Sequence, residues 1–221
     1  MNDTHLPRLY AHPFSSYCQK VLVALYENDT AFEYRSLEAP GAPEELAALW
    51  PMKRFPVLVD AGRTVLEATS IIEYLDTHHP GPLRLVPVDA DTALEVRMMD
   101  RIFDNYVSTP QQKVVFDRLR PEPVRDPRGV AEARAMLVTA YAWLDKVMAG
   151  REWAAGDRFS LADCAAAPFL FYADWTERID PAFTHLIGYR QRLLARPSFA
   201  RAVEEARPFR NYFPLGAPDR D

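Results

Sequence analysis

His12-Pro13-Phe14-Ser15-Ser16-Tyr17-Cys18-Gln19-Lys20 places an imidazole, two aliphatic hydroxyls, a phenol and a thiol on one short stretch. It follows the apolar run Leu9-Tyr10-Ala11 and precedes a helical pattern with Cys18, Val21, Leu22 and Leu25 on one face. The spacing predicts a strand that ends, a turn at a proline and a helix that opens on two serines. Serine is a preferred N-cap because its oxygen accepts an orphan N–H of the first turn. A helix start also carries partial positive charge and free donors, which favour an anion there. A hydroxyl at that place can steady a thiolate, the reactive form of sulfur. The plain alternative is that Ser15 or Ser16 only caps the helix.

Other groups compete for a role. Tyr17 follows the serines directly, and Tyr10 is placed on the strand with its ring in the core. Ser15-x-x-Cys18 has the spacing of a redox C-x-x-C motif whose first cysteine, normally the nucleophile, is replaced. Cys18 falls on the apolar face, so it reads as a buried structural thiol, and Cys164, in an alanine-rich helix, reads as a small core residue. His12 reads as a loop or lid residue. His78-His79 reads as a solvated helix end, because no further ligand stands at metal spacing.

The elements that must position these groups change character along the chain. Ala31 to Leu37 alternates like a strand, Glu44 to Trp50 gives a short helix, and Pro56 to Asp60 with Arg63 to Leu66 form a hairpin through Ala61-Gly62. From Glu67 the pattern is helical, with Ala68, Ile71, Ile72 and Leu75 on one face, until His79-Pro80-Gly81-Pro82 ends it. Residues 1–82 therefore read β-α-β-α-β-β-α, 83–91 a linker, and 92–221 all helix. In the helical part, Met99, Ile102, Phe103 and Tyr106 form one stripe, of which Met99, Ile102 and Phe103 are assigned to core or a dimer surface. Ser160 with Asp163 approximates a capping box, and the tail from Pro208 reads as coil packed on the body.

Composition bounds the function. Among 221 residues, 48% are hydrophobic and 26% charged, as expected of a water-soluble globular chain, and a net charge of -5 gives no footprint for nucleic acid or an anionic membrane. Two cysteines exclude a disulfide scaffold and a cysteine-rich zinc site, and free thiols fit the cytoplasm. Met1 to His5 holds no leader pattern. Cys164 to Ala173 is too short to span a bilayer and contains Pro168. The sequons Asn2-Asp3-Thr4 and Asn28-Asp29-Thr30 carry no weight without a secretion signal.

An α/β half followed by an all-helical half, with that opening turn, resembles the cytosolic glutathione transferases over essentially the whole chain. The style is that of bacterial members of the serine-type classes (zeta, tau, delta). Leu9-Tyr10-Ala11-His12-Pro13-Phe14-Ser15-Ser16-Tyr17-Cys18-Gln19-Lys20-Val21 holds paired serines where the zeta class does, with Tyr17 in place of a cysteine. Trp50-Pro51-Met52-Lys53-Arg54-Phe55-Pro56-Val57-Leu58 resembles N-P-x-G-x-V-P-x-L and departs from it at Trp50, Lys53 and Phe55. Leu66-Glu67-Ala68-Thr69-Ser70-Ile71-Ile72-Glu73-Tyr74-Leu75 resembles the acid-and-serine motif of the third helix, with Ala68 in place of the serine. Gly156 to Asp163 resembles the capping motif of the helical domain.

The resemblance implies a thioredoxin-like domain followed by an all-α domain, no metal, and glutathione as co-substrate in a homodimer with a detoxification role. It implies that Ser15 donates a hydrogen bond to the glutathione sulfur. It further implies that Lys53, Arg54, Phe55, Glu67, Ala68 and a cis-Pro56 hold the tripeptide, Phe55 through its backbone. The thiolate would attack a small hydrophobic electrophile or a peroxide in a pocket that includes Phe14, Tyr17, Tyr106 and Gln111. Two other readings stay open: a non-catalytic interaction protein on the same fold, as in the stringent starvation protein type, and a glutathione-dependent thiol-disulfide or peroxide reductase assisted by Cys18.

Overall fold

A computed structural model describes residues 6–221, so the leader reading and the Asn2-Asp3-Thr4 sequon lie outside the described residues. The first half runs β1 (Arg8–Ala11), α1 (Ser16–Glu27), β2 (Glu33–Ser36), α2 (Ala42–Leu49), β3 (Val57–Asp60), β4 (Arg63–Val65) and α3 (Ala68–His78). This is the expected β-α-β-α-β-β-α order. The strands form one mixed sheet ordered β2-β1-β3-β4, in which β1 and β2 are parallel and the other pairs antiparallel. Successive side chains of a strand face opposite ways. Leu9 therefore joins the core beneath α1 and α3, while Tyr10 turns to the other face with Leu46 of α2 and Val57.

The stretch expected as a linker is tied down at its start, through Leu83 and Leu85. The Asn28 side chain donates to the Leu83 carbonyl at 3.0 Å and accepts the Leu83 N–H at 2.9 Å. A Cβ on Gly81 would fall 2.3 Å from that of Asn28, so only glycine fits there. The Leu85 N–H donates to Asp76 at 2.8 Å, and the Leu85 carbonyl accepts from Leu161 at 2.9 Å.

The second half contains α4 (Ala90–Ile102), a π-helical turn (Phe103–Ser108), α5 (Thr109–Arg118), α6 (Pro127–Met148), α7 (Leu161–Thr176), α8 (Thr184–Ala195) and α9 (Pro197–Ala206), with short 3-10 turns at Glu122–Val124 and Arg207–Tyr212. All of α7 is buried, and it packs against α1 of the first half and α4 of the second. Its start is fixed by Asp163, which accepts from the Ser160 N–H and hydroxyl, the Ala154 N–H and the Tyr189 hydroxyl.

Two sequence expectations are corrected here. Met99, Ile102, Phe103 and Tyr106 do not share one face. The buried line is Met99, Phe103 and Val107, whereas Ile102 is half-buried and Tyr106 is 52% exposed. The π-helical turn adds a residue to its turn, so faces drawn at the ordinary helical period part company there. The tail is not all coil either: Arg207–Tyr212 is a 3-10 turn, Phe213 is buried, and Arg220 pairs with Asp174 of α7. No helix among the described residues is long and apolar enough to cross a membrane.

Candidate functional site

The loop from β1 to α1 is held by its own polar groups. The His12 Nδ1 accepts the Phe14 N–H at 3.1 Å, and its Nε2 lies 3.0 Å from Glu38. The ring packs against Phe209 and Tyr212 of the tail. Gln19, fully buried, donates through Nε2 to the Pro13 carbonyl at 2.9 Å and to the Tyr172 hydroxyl at 3.1 Å. His12 is thus a loop residue, clamped from the tail side as Pro13 is clamped from inside.

Ser15, not Ser16, is the N-cap of α1: its Oγ accepts the Cys18 N–H at 3.4 Å, and Ser16 is the first helical residue. That bond uses a lone pair, and the same hydroxyl also meets the Cys18 sulfur, which partly offsets the effect of burial on the thiol. Cys18 is fully buried, and burial pushes its thiol up to about 12, so it stays protonated and inert at neutral pH. Cys164 is also buried and its thiol is likewise pushed up.

Ser15 opens onto a cleft of about 420 Å³. Its first wall is made by Trp50, Lys53, Arg54, Phe55, Pro56, Leu66, Glu67 and Ala68. The Phe55–Pro56 peptide is cis, as expected. Lys53 has φ of 52°, the left-handed region that favours glycine, which accounts for the glycine in the family pattern at this place. Glu67 has φ of 65° and is the N-cap of α3 without a side-chain cap bond, so backbone strain and a helix end with free donors coincide on the cleft wall. The opposite wall comes from the helical half: Arg101, Asp104, Gln112 and Phe116.

Tyr17 lies between the walls. Its hydroxyl donates to Asp104 at 2.5 Å and accepts from Ser108 at 3.3 Å. Burial first, then the bond to Asp104, raises its pKa, so it remains a neutral phenol with its proton committed. Tyr10 donates to Glu45 at 3.0 Å in a separate cluster. Ser15 is therefore the cleft hydroxyl that no carboxylate holds; its side chain bonds within its own turn, to the Cys18 N–H and the Cys18 sulfur.

Of the residues expected from sequence, Ser15, Tyr17, Lys53, Arg54, Phe55, Pro56, Glu67 and Ala68 come together in this cleft. Three do not. Phe14 packs edge-on against Tyr172 at 5.3 Å. Gln111 is buried and donates to Thr176 at 3.3 Å, and it is its neighbour Gln112 that faces the cleft. Tyr106 lies with Ile102, Met136, Thr139, Ala140 and Trp143 on an apolar groove between the π-helical turn and α6. Arg101, Asp104 and Phe116 carried no sequence signal, because solvated helix residues and cleft residues look alike in a periodic pattern.

Behind the cleft, Lys20 of α1 is fully buried. It pairs with Asp100 of α4, also fully buried, and donates to Thr69 of α3 at 2.8 Å. The Thr69 hydroxyl in turn donates to Asp100 at 2.8 Å. Thr69 follows Ala68, so this group joins both halves of the chain at the end of α3 that meets the cleft.

A thioredoxin-like sheet domain joined to an all-helical domain, with a cleft of mixed polarity between a helix end and a cis-proline loop, defines the glutathione transferase fold. Comparison with known proteins agrees. Residues 9–83 match the glutathione S-transferase N-terminal domain, and residues 127–192 match the glutathione S-transferase C-terminal domain. A probable glutathione S-transferase of Oryza sativa subsp. japonica is 30% identical over 72% of this chain and 69% of its own. A stringent starvation protein A homolog of Coxiella burnetii is 27% identical over 90% of this chain and 91% of its own. A glutathione S-transferase structure from Methylobacterium radiotolerans, in complex with glutathione sulfonate, superposes with a TM-score of 0.77 at 29% identity, over 89% of this chain and 94% of that one. The chain belongs to the glutathione S-transferase family.

Proposed function

We propose that this protein is a serine-type glutathione transferase, in which residues 1–82 hold glutathione and residues 92–221 complete the electrophile pocket. The observation that carries this reading is the Ser15 hydroxyl, at the start of α1, in the same cleft as the cis Phe55–Pro56 peptide and the uncapped start of α3. The residues fit the tripeptide. Glu67 suits an ammonium, the free amides at the start of α3 suit the adjacent carboxylate, and Lys53 and Arg54 suit the carboxylate at the far end. Glutathione, when bound, supplies a nucleophilic sulfur. Ser15 donates its proton in a hydrogen bond toward that sulfur, and the positive end of α1 adds to the field there. A thiol of pKa ~8.5 is mostly protonated at neutral pH, and lowering it by about two units, worth roughly 2.7 kcal/mol, makes the thiolate dominant. One hydroxyl bond to an anion is worth ~1.5–3 kcal/mol, and the helix end contributes the remainder.

The electrophile or peroxide enters between Tyr17 and the helical wall, where the two rings of Tyr17 and Phe116 give a small apolar body its contact. The reductase reading loses its cysteine, because Cys18 is sealed and protonated. The interaction-protein reading is favoured by the stringent starvation protein A homolog among the relatives and by the alanine at position 68. Calorimetry separates the two. Wild type is expected to bind glutathione at millimolar or lower concentration, and Glu67→Gln about tenfold more weakly, as loss of one charge-assisted contact requires. Absence of binding to the wild type removes the transferase reading and leaves the interaction protein.

We assign the apolar groove at Tyr106, Met136 and Trp143 to a homodimer contact, since Leu94, Met98 and Val138 extend the same exposed apolar character along α4 and α6. Light scattering is expected to give twice the chain mass for wild type and the single mass for Trp143→Glu; a monomeric wild type overturns the assignment. Cytoplasmic residence and a detoxification role accompany this reading, the former supported by two free thiols.

A further inference from the structure

We infer that the electrophile of this cleft carries a carboxylate, and that Arg101 is the residue that selects it. The inference rests on the transferase reading above and concerns the helical wall alone. That wall is not the apolar surface that a simple hydrophobic electrophile would fit. Arg101, Asp104 and Gln112 are polar, and Phe116, 46% exposed, is its apolar member.

The Arg101 guanidinium is half committed. Its Nη2 donates to Asp104 at 2.6 Å and to Asn105 at 3.3 Å, while Nε and Nη1 have no internal acceptor among the described residues. Asp104 fixes the fork from behind and also accepts from Tyr17, so the carboxylate is itself shared. Closing a neutral ligand over this wall would desolvate the free N–H groups without replacing their water, which is unfavourable. A carboxylate replaces that water with charge-assisted bonds, two at once where geometry allows. Tyr17 cannot serve in its place, because its proton is held by Asp104. The ligand this wall fits is a flat or unsaturated apolar body with one anionic end: the body against Phe116 and Tyr17, the carboxylate on Arg101.

The test uses a matched pair of aryl chlorides, para-chloro-meta-nitrobenzoate and its methyl ester. In each, the thiolate electron pair forms the carbon–sulfur bond at the ring carbon and chloride leaves with the carbon–chlorine pair, so no oxidant or added proton is needed. With kcat/KM normalised to the uncatalysed rate of each compound, wild type is expected to favour the acid about tenfold. Arg101→Gln is expected to lower the acid's value at least tenfold more than the ester's, and Arg101→Lys to recover part of that loss, having the charge without the fork. Calorimetry of the two S-aryl glutathione products gives a readout apart from turnover, with the acid product binding more tightly and the preference vanishing in Arg101→Gln. Equal treatment of acid and ester by wild type overturns the inference. So does a loss of affinity for glutathione itself in Arg101→Gln, which would move Arg101 to the tripeptide. Failure of wild type to bind glutathione overturns the transferase reading, and this inference with it.

Discussion

Ser15→Ala is expected to bind glutathione nearly as well as wild type, to lose the thiolate absorbance at ~240 nm, and to lose about ten- to twentyfold in kcat/KM at neutral pH. The size follows from the role. The hydroxyl stabilises one charge state of the sulfur over the other, so it contributes little to binding of the tripeptide and most to the fraction ionised. The deficit has a pH signature whose sign is fixed. Below the lowered thiol pKa both proteins are mostly protonated and the ratio of rates is constant at its greatest; between that value and ~8.5 wild type holds the thiolate and the variant does not, so the difference in rate is largest there while the ratio falls. Above ~8.5 the sulfur ionises unaided and the variant gains on the wild type. Ser15 is also the N-cap of α1, and a cap replaced by alanine costs about 1 kcal/mol, against a few tenths for glycine. Ser15→Gly should therefore lose the absorbance as fully as Ser15→Ala while melting closer to wild type. If Ser15→Ala keeps the absorbance and Ser16→Ala loses it, the hydroxyl has been assigned to the wrong serine.

The first wall of the site was legible in the sequence because its signals are local. A strand that stops at Ala11, a serine at a helix start, a proline before Val57 and an acid before α3 each fix backbone at their own position. Only the choice between Ser15 and Ser16 needed the structure, since one residue decides which is cap and which is helix. The second wall was not legible. Gln111 and Gln112 are adjacent and alike, and the π-helical turn before α5 decides which of them turns inward. The resemblance puts Tyr106 in the pocket by its location alone, and it faces the groove against α6 instead. The polar residues of α1 were silent for another reason. Gln19 and Lys20 stand where a helix normally meets solvent, and the long-range packing of α7 and α3 on α1, with Asp100 of α4 reaching Lys20, buries them.

Lys20→Met is expected to destabilise the protein by about 3–5 kcal/mol, because it leaves Asp100 as a buried charge without its cation. For a chain of this length that lowers the melting temperature on the order of 10 °C. The loss is not the worth of the ion pair. Removing two charges from water is itself costly, and a well-packed apolar pair can match or exceed a buried salt bridge. Lys20→Met combined with Asp100→Leu is therefore expected to melt near wild type, so that the two substitutions are strongly non-additive in a double-mutant cycle. Additive effects, or a single variant within ~1 kcal/mol of wild type, would show that water reaches the pair and that it is not the sealed contact described. The same cycle bears on the site. Asp100 and Lys20 both bond the Thr69 hydroxyl, one residue beyond Ala68 on the cleft wall. A chain that recovers its stability in the double variant but loses affinity for glutathione would show that the pair serves to set the start of α3, where a polar contact between the two halves reaches the cleft.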